Sequence, residues 1–139
     1  MGIDDARALV RAYDETVYNA RDLEAIVRYL APGFVSAGPG GARMDRATHE
    51  RTLAASLAAM PDLRLTIEEQ VAEGDTVVTR WSASGTQAGP MFGIPPTGRR
   101  VTASAIHIHH LVDGSIVDQW EVFDTFGVLR QLGVLPTPG

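Results

Sequence analysis

The sequence predicts an α+β fold built as one domain over residues 1–139. Apolar residues recur at helical spacing up to about residue 60, and from residue 63 onward they alternate with polar residues as in β-strands. Helices that precede an antiparallel sheet usually cover one of its faces, and a strongly twisted sheet then encloses a pocket beneath them. A chain of 139 residues is long enough to bury roughly two thirds of the surface that its unfolded form exposes.

Two helices are predicted at the start of the chain. Residues 3–20 form an amphipathic helix, because apolar side chains follow one another at helical spacing. That stripe consists of Ile3, Ala6, Leu9, Val10, Tyr13 and Val17. Asp22 can cap a second helix over residues 23–30, which Pro32-Gly33 ends before a short extended segment at Phe34-Val35.

The rest of the chain reads as one helix, a run of long strands and a closing helix. Asp45 opens a third helix that runs to about Met60 and stops at Pro61. The strands that follow alternate apolar and polar residues and are separated by turn or loop residues rich in Gly, Asp and Pro. In chain order these segments are strands from residue 63 and over 76–84, a loop over 89–98, a hairpin over 104–124 and a helix over 125–132.

The composition excludes several classes of function. The net charge of −5 argues against nucleic acid and anionic membranes as partners. All 12 basic residues are Arg and there is no Cys, so neither a lysine Schiff base nor a thiolate nucleophile is available. The sequence shows no signal peptide and no apolar run long enough to span a membrane, so we expect a cytoplasmic protein.

The hairpin Ser104–Asp124 is the region richest in groups that could carry chemistry. It holds three of the chain's four histidines together with several carboxylates. Alternate residues of a strand share a face, so His107 and His109 point the same way and His110 points the other way. The length of the turn decides which residues of the second strand join them.

Two turns are compatible with the Asp113-Gly114 pair. A two-residue loop of type I′ would set His107 opposite Trp120 and His109 opposite Asp118. A three-residue loop, Val112–Gly114, with Gly114 in a left-handed bulge position, would shift the register by one. In that second register the face of His107 and His109 is shared with Val117, Gln119, Glu121 and Phe123.

Several ordered motifs resemble one known family. They are Gly93-Ile-Pro-Pro-Thr-Gly-Arg-Arg100, Asp113-Gly-Ser-Ile-Val-Asp-Gln-Trp120, Asp124 and Gln131-Leu-Gly-Val-Leu-Pro136. In this order they are similar to the signatures of SnoaL-like polyketide cyclases, also called ester cyclases. The resemblance implies the cone-shaped nuclear transport factor 2-like fold, in which N-terminal helices pack on a curved, mainly antiparallel sheet around a pocket. It also implies a homodimer.

The same resemblance suggests a catalytic pair. In these cyclases an acidic residue at the position of Glu121 acts as the catalytic acid and base, close to a histidine at the position of His107. We therefore favour the three-residue loop, with both side chains facing the pocket and Glu121 made more basic by an apolar environment. Ile106, Ile108, Ile116 and Trp120 would then form the opposite face, which is a candidate dimer contact.

Further candidates are assigned to substrate binding, and none to a metal or cofactor. Tyr13, on the first helix, matches a position where relatives carry Tyr or Phe and could hydrogen-bond a carbonyl oxygen. The remaining candidates for the pocket wall or lid are His109, Trp81, Met91, Phe92 and Asp118. Asp124 is expected to cap the last helix. Ser36 and Gln87 are departures, because relatives often carry His or Asn at the first position and His at the second.

The function predicted from these residues is a cofactor-independent polyketide cyclase. It would close a ring on a small hydrophobic, polycyclic ester by intramolecular aldol condensation, with one carboxylate serving as base and then as acid. One alternative is another proton-transfer reaction in the same pocket, such as epoxide hydrolysis, which needs a second carboxylate (Asp118 or Asp124), or isomerisation. The other alternative is a non-catalytic, dimeric domain that binds small molecules.

Overall fold

A computed structural model describes residues 1–135 of the chain. Within these residues there are four α-helices and six β-strands, and two of the strands precede the third helix; the second of them was not predicted. Pro136, the last residue of one family motif, lies outside the described residues. The elements are α1 (Ile3–Asp14), α2 (Ile26–Tyr29), β1 (Leu30–Ala37), β2 (Arg43–Asp45), α3 (Arg46–Ala59), β3 (Arg64–Glu73), β4 (Thr76–Thr86), β5 (Arg100–Val112), β6 (Ser115–Phe123) and α4 (Thr125–Gln131).

The first helix changes its geometry before it ends. Its α-helical part stops at Asp14, and Glu15–Asn19 continue as one turn of π-helix. A π-turn inserts an extra residue per turn, so it rotates the following side chains relative to a regular helix. Val17 and Tyr18, which lie in this turn, are both buried. Asn19 anchors this turn, because its amide donates to the carbonyl of Leu65 and accepts from the Leu65 amide.

The second helix is much shorter than expected. Leu23–Ala25 form a 3₁₀ turn, and α2 covers only Ile26–Tyr29. The Asp22 side chain accepts no hydrogen bond from the start of the 3₁₀ turn. Strand β1 begins at Leu30 and contains Pro32-Gly33, which were predicted to separate helix from strand.

One six-stranded sheet forms the second layer, with strand order β2-β1-β6-β5-β4-β3. All neighbouring pairs are antiparallel except β1 and β6, which are parallel, so the sheet is mixed and does not close into a barrel. The core lies between the sheet and the helices, and Phe34, Leu65 and Trp81 belong to it. Asp45 caps α3 as predicted, accepting a hydrogen bond from the Thr48 amide at 2.8 Å. No helix within residues 1–135 is long and apolar enough to cross a membrane.

The β5–β6 hairpin corrects the predicted turn. Val112 pairs with Ser115 across a two-residue loop, and both Asp113 and Gly114 have positive φ, as a type I′ turn requires. The favoured three-residue loop is therefore wrong. The register nevertheless shifts by one residue, because the extra residue lies farther along, at Val117, where β6 bulges.

The bulge determines to which face of the sheet each later residue of β6 points. His107 pairs with Glu121, so the prediction that these two share a face is confirmed, although the cause is different. Ile116 precedes the bulge and therefore points into the core, fully buried, which corrects its assignment to the outer face. Ile106 and Trp120 lie on the outer face, where each is more than two-fifths exposed.

Candidate active site

One side of the sheet borders a cavity of about 730 Å³. Its wall is formed by α3, by inward-facing residues of the sheet, by the loop between β4 and β5 and by α4. Most lining side chains are apolar, as expected of a site for a small hydrophobic molecule. The polar lining residues are Tyr18, Ser36, His49, Thr52, Ser56, Glu121 and Thr125.

Glu121 is the single carboxylate among the described residues that line the cavity. Its side chain is 30% exposed, and one carboxylate oxygen lies 3.5 Å from Nε2 of His107. Burial raises the pKa of Glu121, but the hydrogen bond and positive charge of His107 outweigh burial, and the net pKa is lowered. The expectation that desolvation makes Glu121 more basic is therefore corrected. An ionised carboxylate at the cavity wall can accept a proton from a bound molecule.

His107 lies behind Glu121 and does not line the cavity. Its side chain is fully buried, and its ring meets the Trp81 ring edge to face at 5.3 Å between centroids. Thr79 and Glu121 are its neighbours on β4 and β6. His107 therefore contacts a cavity-lining residue, Glu121, without lining the cavity itself.

His109 belongs to a second buried layer. Its Nε2 lies 3.0 Å from the amide oxygen of Gln119, so that nitrogen carries the proton. Gln119 in turn donates to the hydroxyl of Ser36. Burial lowers the pKa of His109 to about 3. The prediction that His109 lines the pocket is therefore wrong; it is a neutral core residue that holds β1, β5 and β6 together.

Tyr13 is also placed in the core rather than at the cavity. It is fully buried, and its hydroxyl lies 3.2 Å from Nε2 of His49. The structure therefore does not bring Tyr13 to the cavity wall, where the predicted contact with a substrate carbonyl would be made. Tyr18, on the following turn, lines the cavity instead. Burial raises the pKa of Tyr18 well above its usual value, so this phenol stays a neutral donor.

Sequence reasoning missed His49. It lies on α3 at the start of a buried stripe that continues with Leu53 and Leu57, a spacing that a helical plot of the third helix could have revealed. His49 lines the cavity, and burial lowers its pKa to about 4 although the charge of Glu121 raises it. It therefore presents a neutral imidazole near Glu121.

Asp118 and Asp124 lie outside the cavity. Asp118 is on the outer face of the sheet, where its carboxylate is 2.6 Å from Nδ1 of His110 and both side chains are about half exposed. Asp118, which was predicted to bind substrate, therefore does not line the cavity, because the bulge turns it to the other face. Asp124 caps α4, as predicted, and accepts from the Gly127 amide at 2.9 Å.

The predicted wall and lid residues do line the cavity. Trp81 comes from the sheet, and Met91 and Phe92 come from the loop that follows β4. Phe92 is half exposed and has a positive φ, at the tip of a tight turn closed by paired hydrogen bonds between Met91 and Ile94. Gln87 holds this loop: its buried amide donates to the carbonyls at residues 94 and 95, and its oxygen accepts two hydrogen bonds from Thr97.

The apolar cavity is thus lined by one ionised carboxylate, that of Glu121, and by the neutral polar rings of Tyr18 and His49. Glu121 can take up and return a proton, while Tyr18 can donate a hydrogen bond to a carbonyl oxygen. Within residues 1–135, no three His, Asp or Glu side chains are grouped as a metal site would require. The chemistry that these residues can perform themselves is proton transfer.

Comparison with known proteins identifies the family. The SnoaL-like polyketide cyclase family matches residues 7–132. The aklanonic acid methyl ester cyclase DnrD of Streptomyces peucetius is 31% identical over 137 residues, which cover 98% of this chain and 94% of DnrD. The family resemblance predicted from the sequence motifs is thereby confirmed.

Solved structures agree with this assignment. AclR from Streptomyces galilaeus, for which a hydroxylase role has been suggested, superposes with a TM-score of 0.91 at 28% identity, covering 99% of this chain and 91% of AclR. TsrD from Streptomyces laurentii gives 0.86 at 30% identity, covering 97% of this chain and 99% of TsrD. The nuclear transport factor 2-like fold is confirmed, and the chain belongs to the SnoaL-like polyketide cyclase family of enzymes.

Proposed function

We propose that this enzyme closes a ring on a polyketide-type ester by intramolecular aldol condensation, without a cofactor. The observation that carries the proposal is Glu121, an ionised carboxylate in the wall of an apolar cavity. Glu121 removes a proton from an activated carbon of the substrate, and the carbanion attacks a carbonyl carbon of the same molecule. The protonated Glu121 then returns the proton to the new alkoxide, so a single group serves as base and as acid.

The charge of the cavity favours an ester over a free acid. No Arg of residues 1–135 lines it, and Glu121 is itself negative. A substrate with a free carboxylate would face repulsion without a cation to compensate it, whereas a methyl ester carries no charge. The related protein DnrD is named as a methyl ester cyclase, which agrees with this argument.

Tyr18 is the group proposed to bind the carbonyl that is attacked. It lines the cavity, and its phenol remains neutral over the working pH range because burial raises its pKa. A neutral phenol can donate to the oxygen on which negative charge develops. This role replaces the one predicted for Tyr13.

The alternatives find less support in this geometry. Epoxide hydrolysis needs a second carboxylate to activate water, and neither Asp118 nor Asp124 lines the cavity. A non-catalytic binding domain would leave Glu121 facing solvent or an Arg, whereas here it lies beside His107. Aldol closure uses the groups that are present.

The test is ring closure of aklanonic acid methyl ester and nogalonic acid methyl ester by the purified protein. An intramolecular aldol addition keeps the mass of the substrate, so product is followed as a new chromatographic peak of unchanged mass. Glu121→Gln is expected to lower turnover by about 10²–10⁴-fold, and the exposed control Glu73→Gln is expected to leave it unchanged. Wild-type turnover in Glu121→Gln would overturn the role of Glu121. Failure of the wild type on both esters, with turnover of the free acids, would overturn the ester preference.

We further propose that a second copy of the chain covers the outer face of the sheet. Ile106, Trp120 and Val122 are 43–50% exposed on this face, a concentration of apolar surface that a soluble monomer rarely carries. A two-fold axis would let the same patch meet itself. Trp120→Glu is expected to convert a dimer to a monomer in analytical ultracentrifugation, whereas Val71→Glu, at an exposed position of β3, should not. A wild-type monomer at all concentrations would contradict the proposal.

A further inference from the structure

Ser36 carries a hydroxyl group in the cavity wall that the proposed reaction does not use. It belongs to β1 and is buried, and its Oγ accepts a hydrogen bond from the side-chain amide of Gln119 at 3.0 Å. A hydroxyl has one hydrogen to donate besides the lone pairs that accept. The Ser36 hydroxyl donates to no acceptor among residues 1–135, so its hydrogen is available to a molecule in the cavity.

The hydrogen bonds behind Ser36 all run in one direction. Nε2 of His109 lies 3.0 Å from the amide oxygen of Gln119. Nδ1 of His109 is buried without a partner, so a proton on Nδ1 would be a buried donor without an acceptor, which is rare in proteins. The proton therefore lies on Nε2 and is donated to the Gln119 oxygen, which leaves the Gln119 nitrogen to donate to Ser36. Because Gln119 is the donor in that bond, the Ser36 hydrogen points elsewhere.

Ser36 and Glu121 are neighbours in the cavity wall. Ser36 pairs with Gln119 across β1 and β6, and Glu121 follows two residues after Gln119 on β6. Alternate residues of a strand share a face, so Gln119 and Glu121 point to the same side of the sheet. Ser36 and Glu121 both line the cavity, as diagonal neighbours on adjacent strands. A ketone bound between them can present its oxygen to Ser36 and the adjacent carbon to Glu121.

We propose that Ser36 donates a hydrogen bond to the ketone oxygen next to the carbon that Glu121 deprotonates. Gln119 and His109 are positioning residues that direct the Ser36 hydroxyl into the cavity. When Glu121 takes the proton, the electron pair of the C–H bond forms the double bond of an enolate, and negative charge moves to the ketone oxygen. A donor at that oxygen binds the enolate more tightly than the ketone and so lowers the barrier. This role in the reaction rests on the proposed function, whereas the hydrogen bond to a ketone oxygen does not.

The test compares two planar ligands of the same shape, fluorenone, which carries one ketone oxygen, and fluorene, which carries none. Trp81 lines the cavity, so quenching of tryptophan fluorescence measures both dissociation constants. In Ser36→Ala the preference for fluorenone over fluorene is expected to fall by about three- to tenfold, which corresponds to the loss of one neutral hydrogen bond. The control Ser104→Ala, at an exposed position of β5, should leave the preference unchanged. An unchanged preference in Ser36→Ala, or a wild type that does not bind fluorenone, would overturn the proposal.

Two further measurements test the positioning and the reaction separately. Gln119→Met keeps the length of the side chain but donates nothing to Ser36, so the preference for fluorenone is expected to fall although Ser36 is present; an unchanged preference would overturn the positioning role. With aklanonic acid methyl ester, Ser36→Ala is expected to lower kcat more than it raises KM, because the hydrogen bond strengthens as the enolate forms. A raised KM at unchanged kcat would overturn the role in the reaction. A reduced fluorenone preference in Ser36→Ala, without ring closure by the wild type, would reject the proposed function alone.

Discussion

His109 allows the link between burial and acid stability to be tested in numbers. Its pKa is 6.5 in the unfolded chain and about 3 in the folded protein. Between these pH values His109 is therefore protonated in the unfolded chain and neutral in the folded protein. The contribution of His109 to the free energy of unfolding is therefore fully present above pH 6.5 and decreases as the pH falls below that value. At pH 4.5, two pH units below the unfolded value, the loss amounts to about 3 kcal/mol, a large part of the 5–15 kcal/mol typical of a domain.

His109→Gln isolates this contribution. Gln keeps a donor for the Gln119 oxygen but does not titrate, so the variant lacks the pH-dependent loss. Urea unfolding, followed by tryptophan fluorescence at pH 7.5 and 4.5, is expected to show the wild type losing about 3 kcal/mol more than the variant between the two pH values. Contributions from His49 and Asp14 are common to both proteins and cancel. Equal losses in the two proteins would refute the reasoning.

Two other perturbations have defined outcomes. The pKa of Asp14 is raised to about 7, so its contribution to the free energy of unfolding falls as the pH rises from about 4 to 7. Over that range the free energy of unfolding of Asp14→Asn should increase by about 4 kcal/mol relative to that of the wild type. The same pH dependence of urea unfolding in both proteins would contradict this. Gln87→Ala removes four hydrogen bonds from the lid loop; we expect about 1–3 kcal/mol of destabilisation in thermal melts and faster proteolysis between residues 88 and 98, and an uncut loop would contradict it.

The sequence was sufficient for features that depend on local patterns. Helix α3 follows from the Asp45 cap and from Pro61, and the long strands follow from strict alternation. These signals act within a few residues, so they do not depend on the rest of the fold. The motif order identified the family for a similar reason, because each motif marks a turn or a strand end.

Other features depended on geometry that local patterns do not contain. The helical spacing of Tyr18 does not tell a cavity wall from a core, and only the folded structure places this residue at the cavity. The stripe itself cannot distinguish a cavity wall from a core, so Tyr13 was assigned to substrate although His49 covers its hydroxyl. Tyr13 and His49 are 36 positions apart in the chain, so their contact is set by tertiary packing.

The sequence predicted pocket residues best where a polar residue occupied an otherwise apolar, inward-facing position. Glu121 could be predicted because the family position selected it among the registers that strand alternation allowed, and only its shared face with His107 was expected, not their direct pairing. The helical spacing of His49 with Leu53 and Leu57 marks it as inward-facing, but that spacing does not tell a cavity-lining histidine from a structural one. Burial was expected to raise the pKa of Glu121. In the folded structure His107 lies 3.5 Å from Glu121 and lowers that pKa by more than burial raises it, and only the folded structure provides this distance.

The bulge at Val117 has a consequence for reading the sequences of relatives. A hairpin with a three-residue turn and no bulge, and one with a two-residue turn and a bulge, present the same carboxylate to the cavity. Insertions at the turn and at the bulge can therefore compensate for each other during divergence. An alignment that fixes Asp113-Gly114 and ignores residue 117 can assign the acid to the wrong column, so candidate acids in this family should be counted back from the helix that follows β6.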